Sequence, residues 1–438
     1  MKNRTMSYWQ KRIFVLSWVA YTFSYLGKIN LSVAIPLMED SLSWDKTRLG
    51  LIGSIFFWIY AFGQLINGSL GDKFTSRKFV FIGLLSSAVL NILFGFTTSL
   101  FFMVVIWAFN GYFQSMLWGP IMKTINHWFP MGQKSKMALY MFSSVVSGFI
   151  LTWGCLGQIS MYTGWKSVFW IPGIVLIVYS LIWYLFVRNN PQEVGLRLED
   201  VELNNDVELN QIENQIEKKD TEMQQTTLWR LIFHKRLYLI ALAGIPLGLI
   251  REGISLWAPT ILFETFHLNM KSTMSAVLLL PLFNFTGVIL ARLLIVKFHN
   301  KETKLVTIFF IGGIFACVLL YLFRNSNIFV YLALLALCSL SLYAASSIIT
   351  SVIPLKYKMT SSVAGFLDFS IYLGAGLSGI VTGVLSNEIG WSSVMLLWVL
   401  AGVAGIICIC IAGYTSKRNE MSFLHKSVSI SGQENQAL

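Results

Sequence analysis

The feature that most constrains this chain is a series of long apolar runs separated by short polar loops. Runs of about 20 apolar residues can cross the hydrocarbon core of a bilayer as helices. The chain has 438 residues, of which 55% are hydrophobic and only 12% are charged, and this composition excludes a soluble domain of its size. We predict an all-α membrane protein with twelve transmembrane helices, at residues 12–37, 49–71, 78–98, 100–122, 137–160, 166–187, 236–263, 273–296, 303–323, 328–350, 360–387 and 391–414.

The twelve spans form two similar halves. Gly164 and Trp165 open the sixth span, and Gly390 and Trp391 open the twelfth, in the same Gly-Trp-x-Ser-Val pattern. This repeat predicts two pseudo-symmetric six-helix bundles around a shared cavity, an arrangement typical of secondary transporters. We predict the first bundle at residues 1–187, a polar cytoplasmic linker at 188–235, the second bundle at 236–414, and a cytoplasmic tail without regular structure at 415–438.

Lysine and arginine residues are distributed unequally between the two sides of the membrane. An even number of spans leaves both termini on one side, and that side holds most of the basic residues of the short loops. The preference for positively charged cytoplasmic loops therefore predicts a multi-pass inner-membrane protein with both termini in the cytoplasm. The same loops account for the net charge of +12, so we expect no nucleic-acid partner. The opposite side holds fewer basic residues, namely Lys46, Arg48, Lys166, Lys271 and Arg324.

Patterns that are typical of enzymes do not occur in the sequence. We find no pairing of a nucleophile with a base, no glycine-rich phosphate loop and no cluster of metal ligands. The five cysteines lie in or beside apolar segments and indicate no disulfide framework. We therefore expect no enzymatic activity, no cofactor and no bound metal.

Lys28 is the only charged residue in the apolar run from Ile13 to Met38. A lysine near the middle of a membrane helix costs roughly 2.5–3.5 kcal/mol, so its presence predicts a functional role. Tyr21, Tyr25 and Lys28 stand at i, i+4 and i+7 and would share one helical face. We predict that this face binds an anionic ligand in a water-filled cavity. The alternatives are a lysine that extends to the membrane interface or one that pairs with an acid.

A second cation, Arg251, lies in the seventh span next to an acid, Glu252. Pro246, Gly248 and Gly253 surround the pair, and such residues permit helices to bend and approach closely. An arginine here can offer a fork of donors to a carboxylate or a phosphate. The alternative is a structural salt bridge with Glu252, but adjacent helical residues point about 100° apart and need not pair. We leave the role of Glu252 open.

Asp368 is an acid inside the eleventh span, four residues before Tyr372. A carboxylate at this depth needs a partner or a proton. It could pair with Arg251 or Lys28, or it could be the group that couples transport to protons. The alternative is a polar residue that faces water in the cytoplasmic vestibule.

A charged motif follows the second span and contains Gly68, Asp72, Arg77 and Lys78. Small residues let helices approach, and the charges can join neighbouring helix ends, which suits a cytoplasmic gate. The spacing resembles the Gly-x-x-x-Asp-x-x-x-x-Arg-Lys/Arg signature of the major facilitator superfamily.

Four further segments resemble the organophosphate:phosphate antiporter family of that superfamily, which includes glycerol-3-phosphate and hexose-phosphate transporters. The resemblance covers nearly the whole chain and implies the major facilitator fold. It also implies that Lys28 and Arg251 bind an anionic group. The segments begin at Tyr21, Gly111, Arg188 and Arg251, and the side chains that the resemblance places around the cavity are Tyr21, Tyr25, Tyr60 and Tyr372.

Several charged positions of the family are neutral in this chain. A lysine that is usual in the second helix falls at Gln64, which we retain as a candidate binding residue. The two cations then face two candidate acids, Glu252 and Asp368, so the family's positive excess is lost. This balance favours a carboxylate, a monoanion or a zwitterion over a doubly charged phosphate ester. The other neutral positions are Ile29, Leu256, Asn284 and Ser144.

These observations predict a secondary transporter that moves a small organic anion, including organophosphates exchanged for phosphate, by alternating access. Two alternatives remain. One is a proton-coupled symporter of a carboxylate or a zwitterionic amino acid, with Asp368 or Glu252 as the protonated group. The other is a membrane sensor that does not transport, which an appended signalling domain would favour. By resemblance the protein is expected to be a monomer.

Overall fold

The structure, a computed structural model, describes residues 5–196, 232–233, 237–298, 302–356 and 360–434. Regular structure in these ranges is helical throughout, which confirms the predicted fold class. Eleven helices of the described chain are long and apolar enough to cross a membrane, and the first span is divided into two shorter helices. Most of the predicted linker at 188–235 lies outside the described residues.

The first half consists of six spans, three of which are divided or irregular. The first span is α1 and α2, the fourth is α5 and α6, and the fifth joins α7 to α8 through a π-helical segment at Ile150–Leu156. A short 3₁₀ turn, Pro191–Val194, follows the sixth span. The helices are α1 (Met6–Leu26), α2 (Asn30–Leu42), α3 (Lys46–Lys73), α4 (Ser76–Phe96), α5 (Leu100–Gln114), α6 (Trp118–Trp128), α7 (Met131–Phe149), α8 (Gly157–Thr163) and α9 (Ser167–Phe186).

The second half repeats the six-span order. Its tenth span ends in a π-helical segment, Ile348–Val352, and a 3₁₀ turn, Ile353–Lys356. The expectation of an irregular tail at 415–438 is wrong for the described part, because the last helix continues through Glu434. Backbone hydrogen bonds within a helix need no apolar surface, so a polar sequence can extend one. The helices are α10 (Leu237–Phe266), α11 (Met270–Val277), α12 (Leu279–Lys297), α13 (Glu302–Leu322), α14 (Ile328–Ser347), α15 (Thr360–Glu388) and α16 (Trp391–Glu434).

Buried amide side chains stabilise the break between α1 and α2. A break frees backbone carbonyls, and inside a membrane these groups need partners within the protein. Asn91 and Asn110 donate to the carbonyl of Gly27 at 3.3 and 2.9 Å, and Gln114 donates to that of Ser24 at 3.1 Å. The three donors belong to α4 and α5, so neighbouring helices fix the loop that joins α1 to α2.

The two halves meet along α3 and α15. We call the membrane side at which α1 begins the terminal face, and the opposite side the distal face. Ser54 accepts a hydrogen bond from the backbone N–H of Ile380 at 2.7 Å, and Trp58 donates to the carbonyl of Leu373 at 3.3 Å. These contacts lie between the distal end and the middle of both helices, so the halves are joined on the distal side of mid-depth.

An ion-pair cluster joins the halves at the distal face itself. Lys46, at the start of α3, lies 3.0 Å from both carboxylate oxygens of Glu264, at the end of α10. Glu39, from α2, lies 3.6 Å from the same ammonium. The indole of Trp391 donates to Glu264 at 2.9 Å. The cluster therefore connects two elements of the first half to two of the second.

Glycine permits a close helix crossing in the second half, between α10 and α15. A Cβ added to Gly248 would lie 1.8 Å from the carbonyl oxygen of Ile371, and one added to Gly374 would lie 1.8 Å from that of Ile245. No larger residue fits at either position without moving a helix backbone. This crossing holds the middle of α10 against the middle of α15.

Candidate functional site

Lys28 lies in the loop between α1 and α2, inside a cage of tyrosines. Its Nζ lies 4.0 Å from the ring centre of Tyr60, 5.1 Å from that of Tyr372 and 5.4 Å from that of Tyr25. It also donates to the hydroxyl of Tyr372 at 3.2 Å. Only 9% of Lys28 is exposed. The lysine therefore does not extend to a membrane interface, and π-faces together with a phenol surround its charge.

The tyrosine cage is built from both halves. Tyr25 and Tyr60 belong to α1 and α3 of the first half, whereas Tyr372 belongs to α15 of the second. The rings of Tyr60 and Tyr372 are 4.5 Å apart, and Gln64 donates to the hydroxyl of Tyr60 at 2.8 Å. Tyr21 lies one layer away, with its ring against those of Tyr25 and Trp118. Of the two tyrosines predicted to share a helical face with Lys28, Tyr25 contacts the lysine directly, and Tyr21 packs against Tyr25.

Arg251 is the second buried cation and lies on α10, in the other half. One terminal nitrogen donates to the hydroxyl of Ser346, and the guanidinium carbon lies 5.3 and 5.8 Å from the ring centres of Tyr343 and Tyr372. Tyr372 therefore contacts both cations. The Nε–H of Arg251 is buried and has no hydrogen-bond partner among the described residues. A buried donor without a partner is costly, so this arrangement suits a site that a ligand completes.

Arg251 and Glu252 form an ion pair, contrary to the expectation that these neighbours need not meet. Their closest nitrogen and oxygen atoms are 2.6 Å apart. The Cα–Cβ directions of adjacent residues diverge, but both side chains are long enough to turn toward each other. Pairing is favourable in the protein interior, because each charge alone would be poorly solvated there. Only 8% of each residue is exposed.

Asp368 lies on α15 in the same electrostatic environment. It interacts electrostatically with Arg251, Lys28 and Glu252, although no described ion pair within 4.0 Å includes it. The predicted acid therefore belongs to the charge group of the site. This charge group therefore comprises two cations, Lys28 and Arg251, and both candidate acids.

A small cavity adjoins Lys28 on the distal side of the tyrosine cage. Lys28 of the first half and Glu252 of the second half both line it. Ser32 and Ser255 add hydroxyls, and Phe56 and Phe57 add apolar surface. The cavity thus has a cation on one side, an acid on the other and a short apolar wall.

The gate motif lies at the terminal face, away from this site. The guanidinium of Arg77 donates to the carbonyl of Tyr184, and its backbone N–H donates to the side chain of Asn189 at 2.9 Å. Lys78 is exposed, and a Cβ on Gly68 would meet no atom within 4 Å. The side chain of Asp72 lies outside the described part. The described contacts join helix ends of one half, and a gating role stays a prediction.

Three contacts of the site were missed by reasoning from the sequence. Tyr343 and Ser346, on α14, contact Arg251, and Trp118, on α6, contacts Tyr21. The only sequence signal was weak: Tyr343, Ser346 and Ser347 place polar groups near the end of an apolar span. Polar residues with this pattern also occur in ordinary helix packing, so the signal was not specific.

Comparison with known proteins identifies the family. The sequence profile of the Major Facilitator Superfamily matches residues 17–379, most of the chain. The chain belongs to the major facilitator superfamily. The superfamily is one of membrane transporters, so the chain is assigned to a transporter family and not to an enzyme family.

Individual relatives agree with this membership over most of the length of the chain. The chain is 27% identical to the glycerol-3-phosphate transporter of Bacillus subtilis (strain 168), over 93% of both chains. It is 24% identical to a probable hexose phosphate transport protein of Chlamydia trachomatis, over 89% of this chain and 88% of that protein. A solved bacterial homologue of the human lysosomal transporter Spinster, inward-facing and occupied, has the same fold, with a TM-score of 0.65, 14% identity, and coverage of 95% of this chain and 98% of that one.

The ion pair of Arg251 and Glu252 gives a prediction about stability. Removing one member of a buried pair costs about 3–5 kcal/mol. Asp368 can offset part of that cost when Glu252 is removed, because it leaves an acid near Arg251, but not when Arg251 is removed. We expect Arg251→Met and Glu252→Gln each to lower the thermal unfolding temperature of the purified protein. The double variant should lose less than the sum of both. Additive losses would mean that the two charges do not stabilise each other.

Proposed function

We propose that this superfamily member moves a small organic anion, including organophosphates, across the inner membrane by exchange for phosphate. The observation that carries the proposal is the meeting of two buried cations from different halves around one tyrosine, Tyr372. Lys28 and Arg251 offer an ammonium and an incompletely bonded guanidinium. Both groups recognise phosphate oxygens well.

The functions of the relatives support the same substrate class. The Bacillus protein is a glycerol-3-phosphate transporter, and the Chlamydia protein is a probable hexose phosphate transport protein. Substrates do not transfer with a fold alone. The agreement gains weight here because the chain retains a cation in each half, and both cations contact Tyr372.

The way in which the halves meet supports transport by alternating access. The described contacts between α3 and α15 close the distal side, and the cluster of Lys46, Glu264 and Trp391 seals its end. Positive loops on the terminal side favour cytoplasmic termini, so this arrangement would be closed to the outside. A ligand bound between Lys28 and Arg251 would contact both halves and favour their mutual closure.

Phosphate exchange tests the proposed function. We expect proteoliposomes loaded with phosphate to take up labelled phosphate without a pH gradient. Lys28→Met and Arg251→Met should each reduce exchange by roughly 10- to 100-fold, because a hydrogen bond to a charged group contributes about 1.5–3 kcal/mol. The matched controls, Lys166→Met and Arg324→Met, remove exposed cations of the same types and should leave exchange intact. Absence of exchange by folded wild-type protein would refute the proposal.

Cross-linking the distal face tests alternating access. In a background without the five native cysteines, Lys46→Cys with Glu264→Cys joins the two halves, whereas Lys46→Cys with Glu39→Cys joins two elements of one half. We expect a bridge in the first pair to stop exchange until it is reduced. The bridge in the second pair should leave exchange largely unchanged. Continued exchange by the fully bridged first pair would contradict movement between the halves at this face.

Proton-coupled symport of a carboxylate or an amino acid remains the second candidate. The observation that favours it is Asp368, an acid that interacts electrostatically with both cations without a described ion pair. If protons drive uptake through this group, Asp368→Asn should abolish accumulation under an imposed pH gradient and spare exchange at equal pH. Undiminished accumulation would remove Asp368 from the coupling mechanism. A non-transporting sensor would give neither exchange nor accumulation.

A further inference from the structure

The charge balance of the site differs from that of a simple anion receptor. Lys28 and Arg251 face Glu252 and Asp368, and all four groups interact electrostatically. A phosphate ester carries about −1.5 to −2 charges at neutral pH. Placing this charge beside two carboxylates would bury unbalanced negative charge, which is costly in a membrane interior. A ligand that also carries a positive group would avoid that cost.

The cavity provides separate positions for the two kinds of charge. Lys28 lines it from the first half and Glu252 lines it from the second. No described ion pair joins these two residues, since the ion pair of Glu252 is with Arg251. The space between them is bounded by the hydroxyls of Ser32 and Ser255 and by the ring of Phe57. A short ligand with opposite charges at its two ends matches this order. Arg251 does not line the cavity itself and is connected to it through Tyr372, which contacts both cations.

Unused hydrogen-bonding capacity points to the same ligand. The Nε–H of Arg251 is buried without a described partner, and the ammonium of Lys28 has three donors, of which one bonds Tyr372. These donors can take an oxyanion. Once the oxyanion occupies Arg251, Glu252 loses part of its only described ion pair. An ammonium on the ligand then restores a partner to that carboxylate.

We propose that the site selects phosphate esters that carry a primary amine a few bonds from the phosphate. The phosphate oxygens bind Lys28 and Arg251, and the ammonium binds Glu252. This inference rests on the proposed function, because it assumes that the two cations receive a phosphate group. It goes beyond that function by assigning Glu252 as the residue that determines selectivity.

A direct binding measurement tests the inference without requiring transport. O-phosphoethanolamine and propyl phosphate have nearly the same size and differ in one ammonium that is replaced by a methyl group. We expect ligand-dependent thermal stabilisation of the purified wild-type protein to give at least tenfold tighter binding of O-phosphoethanolamine. Equal affinity for the two esters, or no binding of either one, would overturn the inference.

Variants assign the selectivity to a residue. Glu252→Gln keeps the shape of the side chain and an oxygen that Arg251 can bond, so we expect the affinity ratio of the two esters to fall to about one. Asp368→Asn, which removes the other acid of the site, should keep at least half of the ratio. Loss of the ratio in Asp368→Asn alone would overturn the assignment to Glu252. If Glu252→Gln does not fold, Glu252→Asp replaces it, and an unchanged ratio in that shortened variant would also overturn the assignment.

The design separates failure of the inference from failure of the proposed function. Phosphate exchange that persists while the two esters bind equally would refute the amine selectivity and leave phosphate exchange standing. Absence of phosphate exchange together with a tenfold preference for the amine would refute the exchange and support the selectivity.

Discussion

The rest of the site depends on the hydrogen bonds that stabilise the break in the first span. A continuous helix would satisfy its own carbonyls and leave Lys28 on a helix surface. The break instead exposes carbonyls, each of which would cost about 1–3 kcal/mol if it were buried without a partner. Asn91, Asn110 and Gln114 satisfy them, at distances between 2.9 and 3.3 Å. Because these donors belong to the first half, that half alone fixes the backbone from which the lysine reaches Tyr372 of the second half.

Balanced charge is the second constraint, and it affects the empty and the occupied protein in opposite ways. Two buried cations without acids would be expensive in a membrane before any ligand arrived. Glu252 and Asp368 lower that cost, and the 2.6 Å pair with Arg251 is the clearest instance. The same acids oppose a second negative charge in the site. The two acids that stabilise the empty protein therefore also favour ligands with a smaller net negative charge. In this way the charge balance of the empty site determines its selectivity.

The sequence predicted the parts of this structure that have a high energetic cost. Lys28 and Arg251 were identified because a charge within an apolar run is energetically costly and therefore indicates a function. Both lie at the centre of the site. The break beside Lys28 was not predicted, since its stabilising amides are distant in the chain and amides also occur in ordinary helix packing. Tyr343 was missed because it is distant in the chain from Arg251, and polar residues near the end of an apolar span also occur in ordinary helix packing. The pairing of Arg251 with Glu252 was misjudged because helical geometry fixes the Cβ directions and leaves the ends of long side chains free to meet.

The strength of the distal cluster must suit the proposed cycle. A contact that closes one face has to break on each turnover, so it should stabilise the closed state only modestly. Glu264 keeps 29% of its side chain exposed, and ion pairs with solvent access contribute about 0–1 kcal/mol. A phosphate group held between Lys28 and Arg251 can contribute more than this, because its partners are buried. The ligand, rather than the distal ion pair, would then dominate the energetics of closure, which suits an exchanger, because exchange requires the loaded protein to change its open side more readily than the empty one.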